Sequence, residues 1–362
     1  MKIMSLAGPE AYYQGKGLLK DMASCISNLG KRFLIITDDI VWVIINKDIT
    51  RAFARSDLTF EVERFTGEST ENEAKRLAKR AETLRCDALI GAGGGKVIDS
   101  TKFAADLIGK PVVIVPTAAT SDAPCSTMSV VYDEDGTFLV SRRMKHHPAA
   151  VLVDTDIISK APVRLLRAGI GDAYATWYEA RAARWAGASN YNNGVATEAA
   201  FALARLCNDI LIESAEEAVH QVEQKEWSEA VDRTVEAAIY LSGIGFENNG
   251  CAIAHAFYSG LTELVKPFPA MHGEAVAVGT LVQLELEYLE REERDEDEWN
   301  EVIEFYERTG LPKCLTDIGI DPMDGGELMQ LSKMVCRLPN AGRMPFPVQP
   351  KMLADAIRTV NR

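Results

Sequence analysis

The N-terminal part of the chain alternates short apolar runs with segments of helical spacing. The apolar runs, which predict strands, are residues 33–37, 60–65, 87–91 and 112–115. The segments of helical spacing lie near residues 16–29, 70–85 and 96–108. This alternation predicts a parallel sheet that is covered by helices. A hairpin of residues 129–133 and 137–141, followed by a strand at 150–154, completes the predicted α/β domain.

The C-terminal part of the chain has a different pattern. From about Leu165 onward it is rich in Ala, Leu and Glu, keeps helical spacing, and contains almost no convincing strand. We therefore predict an all-α domain, built as a helical bundle. The run from Lys160 to Val163 marks the expected boundary, which places an α/β domain at residues 1–162 and a helical domain at residues 163–362.

Composition and charge exclude several classes of protein. The 362 residues include 39 Lys and Arg against 53 Asp and Glu, a formal net charge of −14 at pH 7. Phosphate backbones and anionic lipids repel such a chain, so we expect no nucleic acid and no membrane as a partner. There is no apolar run of the roughly 18 residues that span a membrane, and no signal-peptide pattern, so a cytoplasmic protein is expected. The 7 cysteines are scattered without a CxxC pair, which indicates reduced thiols.

A glycine-rich loop follows one predicted strand and opens a helix. Its sequence, GAGGGK at residues 91–96, matches neither the GxGxxG dinucleotide fingerprint nor the Walker motif. Backbone N–H groups at such a junction can bind a pyrophosphate, and three successive glycines favour close approach of a ligand. A merely structural tight turn is the alternative.

Two further strand ends carry polar side chains. The hydroxyl-rich loop PTAATSDAPCS at residues 116–126 follows the strand at 112–115, and Asp38 follows the strand at 33–37. Ligands of open α/β sheets bind beyond the carboxyl ends of strands, so we expect this loop and the glycine loop to face one crevice. Asp38 can accept hydrogen bonds from ribose hydroxyls, and a helix cap or a turn is its alternative role.

Two of the 5 histidines lie in apolar helical surroundings. His255 lies within CAIAHAF at residues 251–257, and His272 opens a second apolar helical run. A buried imidazole needs a specific partner, which is either a backbone carbonyl or a ligand that both histidines share. Asp172, at the start of the first helix of the second domain, would complete a set of two imidazoles and one carboxylate. Such a set suits catalytic Zn²⁺ or Fe²⁺.

Several motifs occur in order along most of the chain. They are GAGGGKVIDSTK at residues 91–102, VPTAATSDAPCS at 115–126, SVVY at 129–132, GIGDAYATW at 169–177, GIGFE at 243–247 and HGE at 272–274. Together they closely resemble the glycerol dehydrogenases of the iron-containing (group III) alcohol dehydrogenase superfamily. The resemblance implies a dehydroquinate synthase-like architecture, in which an NAD-binding α/β domain and a helical domain enclose the active site in a cleft. It also implies a homo-oligomer, an octamer.

The resemblance assigns roles at the metal and the substrate. It implies that the metal, Zn²⁺ with Fe²⁺ as the alternative, is held by Asp172, His255 and His272. It implies that Asp122 faces the hydroxyls of a polyol beside the metal. An N-cap or an Asx turn is the alternative role for Asp122.

The resemblance also assigns the cofactor site. It implies that Asp38 meets the adenosine ribose of NAD and that Gly94, Gly95 and Lys96 meet the pyrophosphate. The rest of the dinucleotide would be contacted by Thr117, Thr120, Ser126, Met128 and Tyr132.

The implied function is NAD-dependent oxidation of glycerol, or of a similar small vicinal diol, to the hydroxy-ketone. For glycerol the product is dihydroxyacetone. Two features depart from the family pattern on its substrate side, so the preferred substrate stays open: Tyr258 stands where the family often has a histidine, and LPNAGRM at residues 338–344 replaces a typical stretch.

Three other functions are weighed against this one. A related metal-dependent oxidoreductase with another substrate is one. A dehydroquinate synthase-like lyase needs a cluster of Arg and Lys for a substrate phosphate, and none is evident around the metal motifs. A polyol-binding protein without catalysis is disfavoured, because the three candidate metal ligands and the glycine loop are all present.

Overall fold

The computed structural model describes residues 3–361 of the chain. Its strands, numbered in chain order, are β1 (Met4–Ser5), β2 (Tyr12–Gly15), β3 (Arg32–Thr37), β4 (Thr59–Arg64), β5 (Ala88–Gly93), β6 (Val112–Pro116), β7 (Met128–Tyr132), β8 (Phe138–Arg143), β9 (Ala150–Asp154) and β10 (Val195–Ala196). One sheet has the strand order β2-β9-β6-β5-β3-β4, and all of its neighbouring strands are parallel. β7 and β8 form an antiparallel hairpin, and β1 pairs with β10 in parallel.

The parallel sheet confirms the α/β part of the predicted fold. Each of the strands from β3 to β9 begins and ends within about two residues of the apolar run that predicts it. Strand β2 is not predicted, because this short strand at the sheet edge contains Gln14 and Gly15, which interrupt the apolar pattern.

Helices make up most of the remaining structure. They are α1 (Met22–Ile26), α2 (Asp39–Ala54), α3 (Glu71–Thr83), α4 (Gly95–Ile108), α5 (Thr155–Ser159), α6 (Val163–Ala186), α7 (Glu198–Glu223), α8 (Glu229–Glu236), α9 (Ser242–Asn249), α10 (Ile253–Leu264), α11 (His272–Arg291), α12 (Glu296–Thr309), α13 (Gly325–Val335) and α14 (Pro350–Val360). A π-helical turn, Ala237–Leu241, joins α8 to α9. Short 3₁₀ turns lie at Leu18–Asp21, Ser27–Leu29, Ala123–Cys125, Thr316–Ile318 and Pro339–Arg343. The predominance of helices from α6 onward confirms the helical part of the predicted fold class.

Two helical segments differ from the sequence patterns. Helix α2 is not predicted, because Ile40, Val43 and Ile44 on its exposed face blur the contrast between apolar and polar positions. The predicted helix at residues 16–29 is broken into α1 and its two flanking 3₁₀ turns. The hydroxyls of Ser24 and Ser27 donate to backbone carbonyls three residues earlier, which competes with regular helical hydrogen bonds.

The contacts divide the chain into two compact units. The α/β unit contains Gly8–Val163 and His220–Gly243, and the helical unit contains the N-terminal segment that ends at Ala7, Arg164–Val219 and the chain from Ile244 onward. The domain limits 1–162 and 163–362 stay a prediction.

Each unit has its own apolar core. In the α/β unit, alternate residues of the central strands, such as Ile35 of β3 and Ile90 of β5, are buried against α1 and α2. In the helical unit, Phe257 of α10, Val278 of α11 and Leu331 of α13 are fully buried in one cluster. Within residues 3–361, no helix has the length and apolar character needed to cross a membrane.

Candidate metal centre and dinucleotide cavity

Helices α6 and α11 of the helical unit approach each other closely where each carries a candidate metal ligand. A Cβ atom on Gly171 would lie 2.6 Å from the carbonyl oxygen of Gly273, so only glycine leaves room for the neighbouring backbone. These glycines adjoin Asp172, which lies well inside α6 and not at the helix start that the sequence predicts, and His272, the first residue of α11. The close crossing therefore brings the carboxylate and the imidazole together.

Three donor atoms converge at this crossing. Asp172 is fully buried, and His255 lies in the first turn of α10. The Oδ1 atom of Asp172 lies 3.3 Å from Nε2 of His255 and 3.1 Å from Nε2 of His272. One donor atom of each residue lies within 4.8 Å of the other two. The side chains that the sequence predicts as metal ligands are therefore neighbours.

The chemistry of these donors fits a divalent cation. Nδ1 of His255 lies 2.7 Å from Oε2 of Glu179, which places the ring proton on Nδ1 and directs the Nε2 lone pair toward Asp172. Two acceptors repel each other at such a distance unless a cation or a proton lies between them. Bonds of about 2.0–2.2 Å to a tetrahedral Zn²⁺ would separate ligand atoms by roughly 3.3–3.6 Å, which is similar to the spacing of these atoms. The residues present therefore fit a metal ion.

The electrostatic environment keeps the Asp172 carboxylate ionised. Burial works to raise the pKa of the Asp172 carboxyl, but His272 and His255 outweigh burial and hold that pKa below its ordinary value. Burial works to lower the pKa of His255, whereas Cys251 and Glu179 raise it well above its ordinary value. The Asp172 oxygen therefore stays negatively charged beside the two imidazoles, which is the state that a ligand of a cation requires.

Tyr258 forms an aromatic wall beside the candidate metal centre. Its ring lies 4.4 Å from the His272 ring, at an interplanar angle of 87°. The Phe268 ring packs edge-on behind it at 5.8 Å. Burial raises the pKa of the Tyr258 phenol, so the ring carries a neutral hydroxyl at neutral pH. The position at which the sequence departs from the family pattern therefore contacts a candidate ligand.

A second candidate site is a cavity of about 360 Å³ in the α/β unit. Helix α4 begins there after Gly94, which provides no side-chain cap. A Cβ atom on Gly94 or on Gly95 would meet no atom within 4 Å, so the backbone is open to close approach. A helix start of this kind can bind an anion through its N–H groups. The lining residues are Asp38, Phe65, Gly67, Gly94, Gly95, Lys96 and Val97.

Asp38 and Lys96 line this cavity and also have partners in the protein. Oδ1 of Asp38 accepts a hydrogen bond from the N–H of Val41 at 2.8 Å, which confirms its role as the cap of α2. Its contact with a ribose stays a prediction. The Lys96 ammonium lies 2.5 Å from Oε1 of Glu68, an ion pair that the sequence did not indicate.

The hydroxyl-rich loop begins beside the glycine loop. The N–H of Thr117 donates to the carbonyl of Gly93 at 3.3 Å, so the loops after β5 and β6 start at one edge of the sheet. Ser126 is buried, and its hydroxyl donates to the carbonyl of Ala123 at 3.3 Å. Several predicted dinucleotide contacts do not line the 360 Å³ cavity and stay predictions, namely Thr117, Thr120, Ser126, Met128 and Tyr132.

Asp122 is held inside the α/β unit. It is buried, and its Oδ2 accepts a hydrogen bond from the hydroxyl of Ser242 at 2.7 Å. Its side chain does not cap the 3₁₀ turn that follows it. Ser242 was not recognised in the sequence, because a serine 120 residues away gives no local signal.

Glu179 is another residue that the sequence patterns did not reveal. It contacts His255 but stands within the Ala-rich part of α6, where a glutamate is usually solvated. Its spacing of seven residues from Asp172, two helical turns, was the available signal, since it places both carboxylates on one face of the helix.

Comparison with known proteins places the chain in a family. Residues 9–155 match the family model described as iron-containing alcohol dehydrogenase. The chain is 41% identical over 315 residues to a glycerol dehydrogenase of Escherichia coli O6:H1. The aligned region covers 87% of this chain and 84% of that protein. It is 38% identical over 354 residues to a glycolaldehyde reductase of Halobacterium salinarum, which covers 98% of this chain and 96% of that protein.

A solved structure has the same fold. The crystal structure of glycerol dehydrogenase from Schizosaccharomyces pombe matches with a TM-score of 0.93 at 34% sequence identity, covering 100% of this chain and 91% of that chain. The fold, the order of the motifs and the identity to these relatives all agree. The chain belongs to the iron-containing alcohol dehydrogenase family, within which it is a glycerol dehydrogenase-like oxidoreductase.

Proposed function

We propose that this chain catalyses the NAD-dependent oxidation of glycerol, or of a similar small vicinal diol, to the hydroxy-ketone. The observation that carries the proposal is the convergence of Asp172, His255 and His272 in a chain that is 41% identical to a glycerol dehydrogenase. Oxidation moves a hydride from the carbinol carbon to the nicotinamide ring and releases the hydroxyl proton. The products from glycerol are dihydroxyacetone, NADH and a proton.

Asp172, His255 and His272 would hold one divalent cation, which we propose to be Zn²⁺, with Fe²⁺ as the alternative. One carboxylate and two neutral imidazoles neutralise one of its two positive charges and leave coordination positions open. Such a cation supplies Lewis-acid polarisation of a hydroxyl or carbonyl oxygen. The burial of Asp172 excludes water from its carboxylate, and the hydrogen bond from His255 to Glu179 fixes the ring that faces it.

Asp122 would accept a hydrogen bond from a substrate hydroxyl. Its burial and its anchoring by Ser242 support this role, because a fixed acceptor can orient a polyol. A monoalcohol lacks the second hydroxyl that would donate this additional hydrogen bond, which disfavours monoalcohols.

NAD would bind along the carboxyl edge of the parallel sheet. We assign the pyrophosphate to the N–H groups at Gly94 and Gly95 and to the Lys96 ammonium, which line the 360 Å³ cavity. Asp38, at the same cavity, would accept from the adenosine ribose hydroxyls. The remaining contacts are assigned to Thr117, Thr120, Ser126, Met128 and Tyr132.

Reduction of a small hydroxy-aldehyde is the second candidate function. The 38% identity over 98% of the chain to a glycolaldehyde reductase favours it. The same donors would serve both activities, since the oxygen that is polarised in oxidation is the carbonyl oxygen in reduction.

A substrate panel distinguishes these functions. NADH at 340 nm is followed with glycerol, 1,2-propanediol, 2,3-butanediol, ethanol and 1-propanol, using NAD⁺ or NADP⁺, with and without added Zn²⁺. NADH consumption is followed with dihydroxyacetone and with glycolaldehyde. The proposal expects the highest kcat/KM for a vicinal diol and its ketone. A higher kcat/KM for glycolaldehyde would favour the second function, and no turnover with any of them would contradict both.

We also propose a homo-oligomer, an octamer by resemblance. Support comes from apolar side chains that this chain leaves exposed, such as Ile40, Val43 and Ile44 on one face of α2 and Trp185 at the end of α6. Light scattering should give a multiple of the 39.7 kDa chain mass. A monomer would contradict this proposal.

A further inference from the structure

The N-terminus of helix α10, which carries His255, is capped by side chains from other helices. Its N-cap residue, Ala252, has no side chain that can accept a hydrogen bond. Oε1 of Glu179 accepts from the N–H groups of Ala252 at 2.7 Å and of His255 at 3.0 Å. Oε1 of Gln283 accepts from the two N–H groups between them, of Ile253 at 3.0 Å and Ala254 at 3.3 Å. Two buried side chains thus satisfy four successive donors.

These two side chains belong to the helices that carry the other candidate ligands. Glu179 follows Asp172 by seven residues on α6, and Gln283 follows His272 by eleven residues on α11. Spacings of seven and eleven residues are close to two and three helical turns, so each pair lies on one helix face. The helix that presents His255 is therefore held by the same two helices that present Asp172 and His272.

Glu179 differs from Gln283 in a second contact. Its Oε2 lies 2.7 Å from Nδ1 of the His255 ring, and the residue is 1% exposed. Gln283 uses its amide group to donate to the carbonyl of Tyr178 at 3.0 Å. The two residues share the capping role, and Glu179 adds an interaction with the imidazole itself.

We propose that Glu179 is a positioning residue that sets the metal affinity of the centre by holding the Nδ1 proton of His255. With that proton fixed, Nε2 is available as a ligand. The proposal rests on the proposed metal role of Asp172, His255 and His272. Carboxylates that accept from a ligating imidazole are general devices for raising ligand basicity, and their loss lowers metal affinity by about 10- to 100-fold.

Cys251 offers another interpretation of the same group. Donor atoms of Glu179, Cys251 and His255 lie within 4.8 Å of one another, so they could hold an ion of their own. Both oxygens of Glu179 already accept hydrogen bonds from N–H groups, which favours the positioning role.

The test compares Glu179→Gln with Gln283→Met in the full-length protein. In Glu179→Gln the new amide oxygen can still cap α10, but the new NH₂ group faces Nδ1 of His255 and forces the ring proton onto Nε2. Gln283→Met removes two caps and leaves the contact with the ring. Zn²⁺ affinity is measured by competition with a chromogenic chelator, and the melting temperature of the metal-free chain is measured in parallel.

We expect Glu179→Gln to weaken Zn²⁺ binding by about 10- to 100-fold with little change in melting temperature. Gln283→Met should lower the melting temperature and weaken Zn²⁺ binding by less than about threefold. Unchanged affinity in Glu179→Gln, or a larger loss in Gln283→Met, overturns the proposal. If Glu179→Gln does not fold, Glu179→Asp is measured in its place. Its shorter side chain cannot reach the ring and the backbone together, so its Zn²⁺ affinity must fall below that of the wild type.

Failure of the proposed function gives a different result. A wild-type chain that binds no Zn²⁺ through His255 overturns both proposals, whereas normal binding by wild type and Glu179→Gln alike overturns only the positioning role. The wild-type chain could instead bind two ions, one of which is lost in Cys251→Ser. That result would assign Glu179 to a second metal site and would also overturn its positioning role.

Discussion

A Cβ atom on Gly273 would lie 1.8 Å from the carbonyl oxygen of Ala168. This contact packs the start of α11 against α6 at the point where Asp172 and His272 meet. Gly273→Ala should therefore force the helices apart. We expect it to destabilise the fold by about 1–3 kcal/mol, the usual range for overpacking, and to weaken metal binding.

Gly325→Ala is the matched control for this prediction. Gly325 begins α13, and a Cβ atom there would meet nothing within 4 Å. Chemical denaturation and metal analysis of both variants check the prediction. Equal stability and equal metal content in the two variants would contradict it.

Asp38 should determine the preference for NAD⁺ over NADP⁺. Its carboxylate can accept from ribose hydroxyls and repels a 2′-phosphate. Asp38→Asn keeps a good helix cap for α2 and removes only the charge. We expect the ratio of kcat/KM for NAD⁺ to that for NADP⁺ to fall by about tenfold or more, a change of about 1.4 kcal/mol, while the melting temperature stays nearly constant.

Asp39→Asn is the control, because it removes a neighbouring charge of the same sign. Asp39 is largely exposed, and its Oδ1 lies 2.9 Å from Nε of Arg64. The guanidinium therefore partly compensates the negative charge of Asp39. In Asp39→Asn the ratio of kcat/KM for NAD⁺ to that for NADP⁺ should change much less than in Asp38→Asn. A larger effect at Asp39, or a wild type that prefers NADP⁺, would show that Asp38 is misassigned.

The ion pair of Lys96 with Glu68 should compete with the cofactor for Lys96. Both side chains are partly exposed, and exposed pairs contribute at most about 1 kcal/mol, or about fivefold in affinity. Glu68→Gln should therefore lower the KM for NAD⁺ by no more than about fivefold, and Lys96→Ala should raise it. Both effects should shrink in high salt. A higher KM in Glu68→Gln would contradict this competition.

Small vicinal diols should exceed primary monoalcohols in kcat/KM by at least about tenfold. The diol offers a second hydroxyl to Asp122, and an additional hydrogen bond to a charged group contributes roughly 1.5–3 kcal/mol. Glycerol and 1,2-propanediol are compared with ethanol and 1-propanol in wild type and in Asp122→Ala. The variant should lose activity mainly toward the diols. Equal losses for both substrate types would remove the orienting role of Asp122.

The sequence predicted most strands of the parallel sheet from their apolar runs. Strand β5 is buried along its whole length, so its apolar run was visible. Helix α2 was not predicted, because Ile40 and Val43 are more than 70% exposed and contradict the usual relation of polarity to burial.

The candidate metal ligands were recognisable in the sequence, but the residues that position them were not. His255 and His272 were recognisable as polar residues in apolar helices. Glu179 and Gln283 were not recognised, because they act on backbone groups and on a ring nitrogen of another helix. Such contacts depend on how α6 and α11 pack against α10, and a single sequence does not encode that packing in any local pattern.

Metal content and activity are measured together to test whether Asp172, His255 and His272 hold a catalytic ion. The wild-type chain is stripped with a chelator, titrated with Zn²⁺ or Fe²⁺, and assayed for NADH formation from glycerol, in parallel with His255→Ala and His272→Ala. We predict that activity disappears on stripping and returns with about one ion per chain. Both variants should stay folded by circular dichroism, bind little metal and stay inactive. Full activity in a metal-free wild-type chain would contradict this prediction.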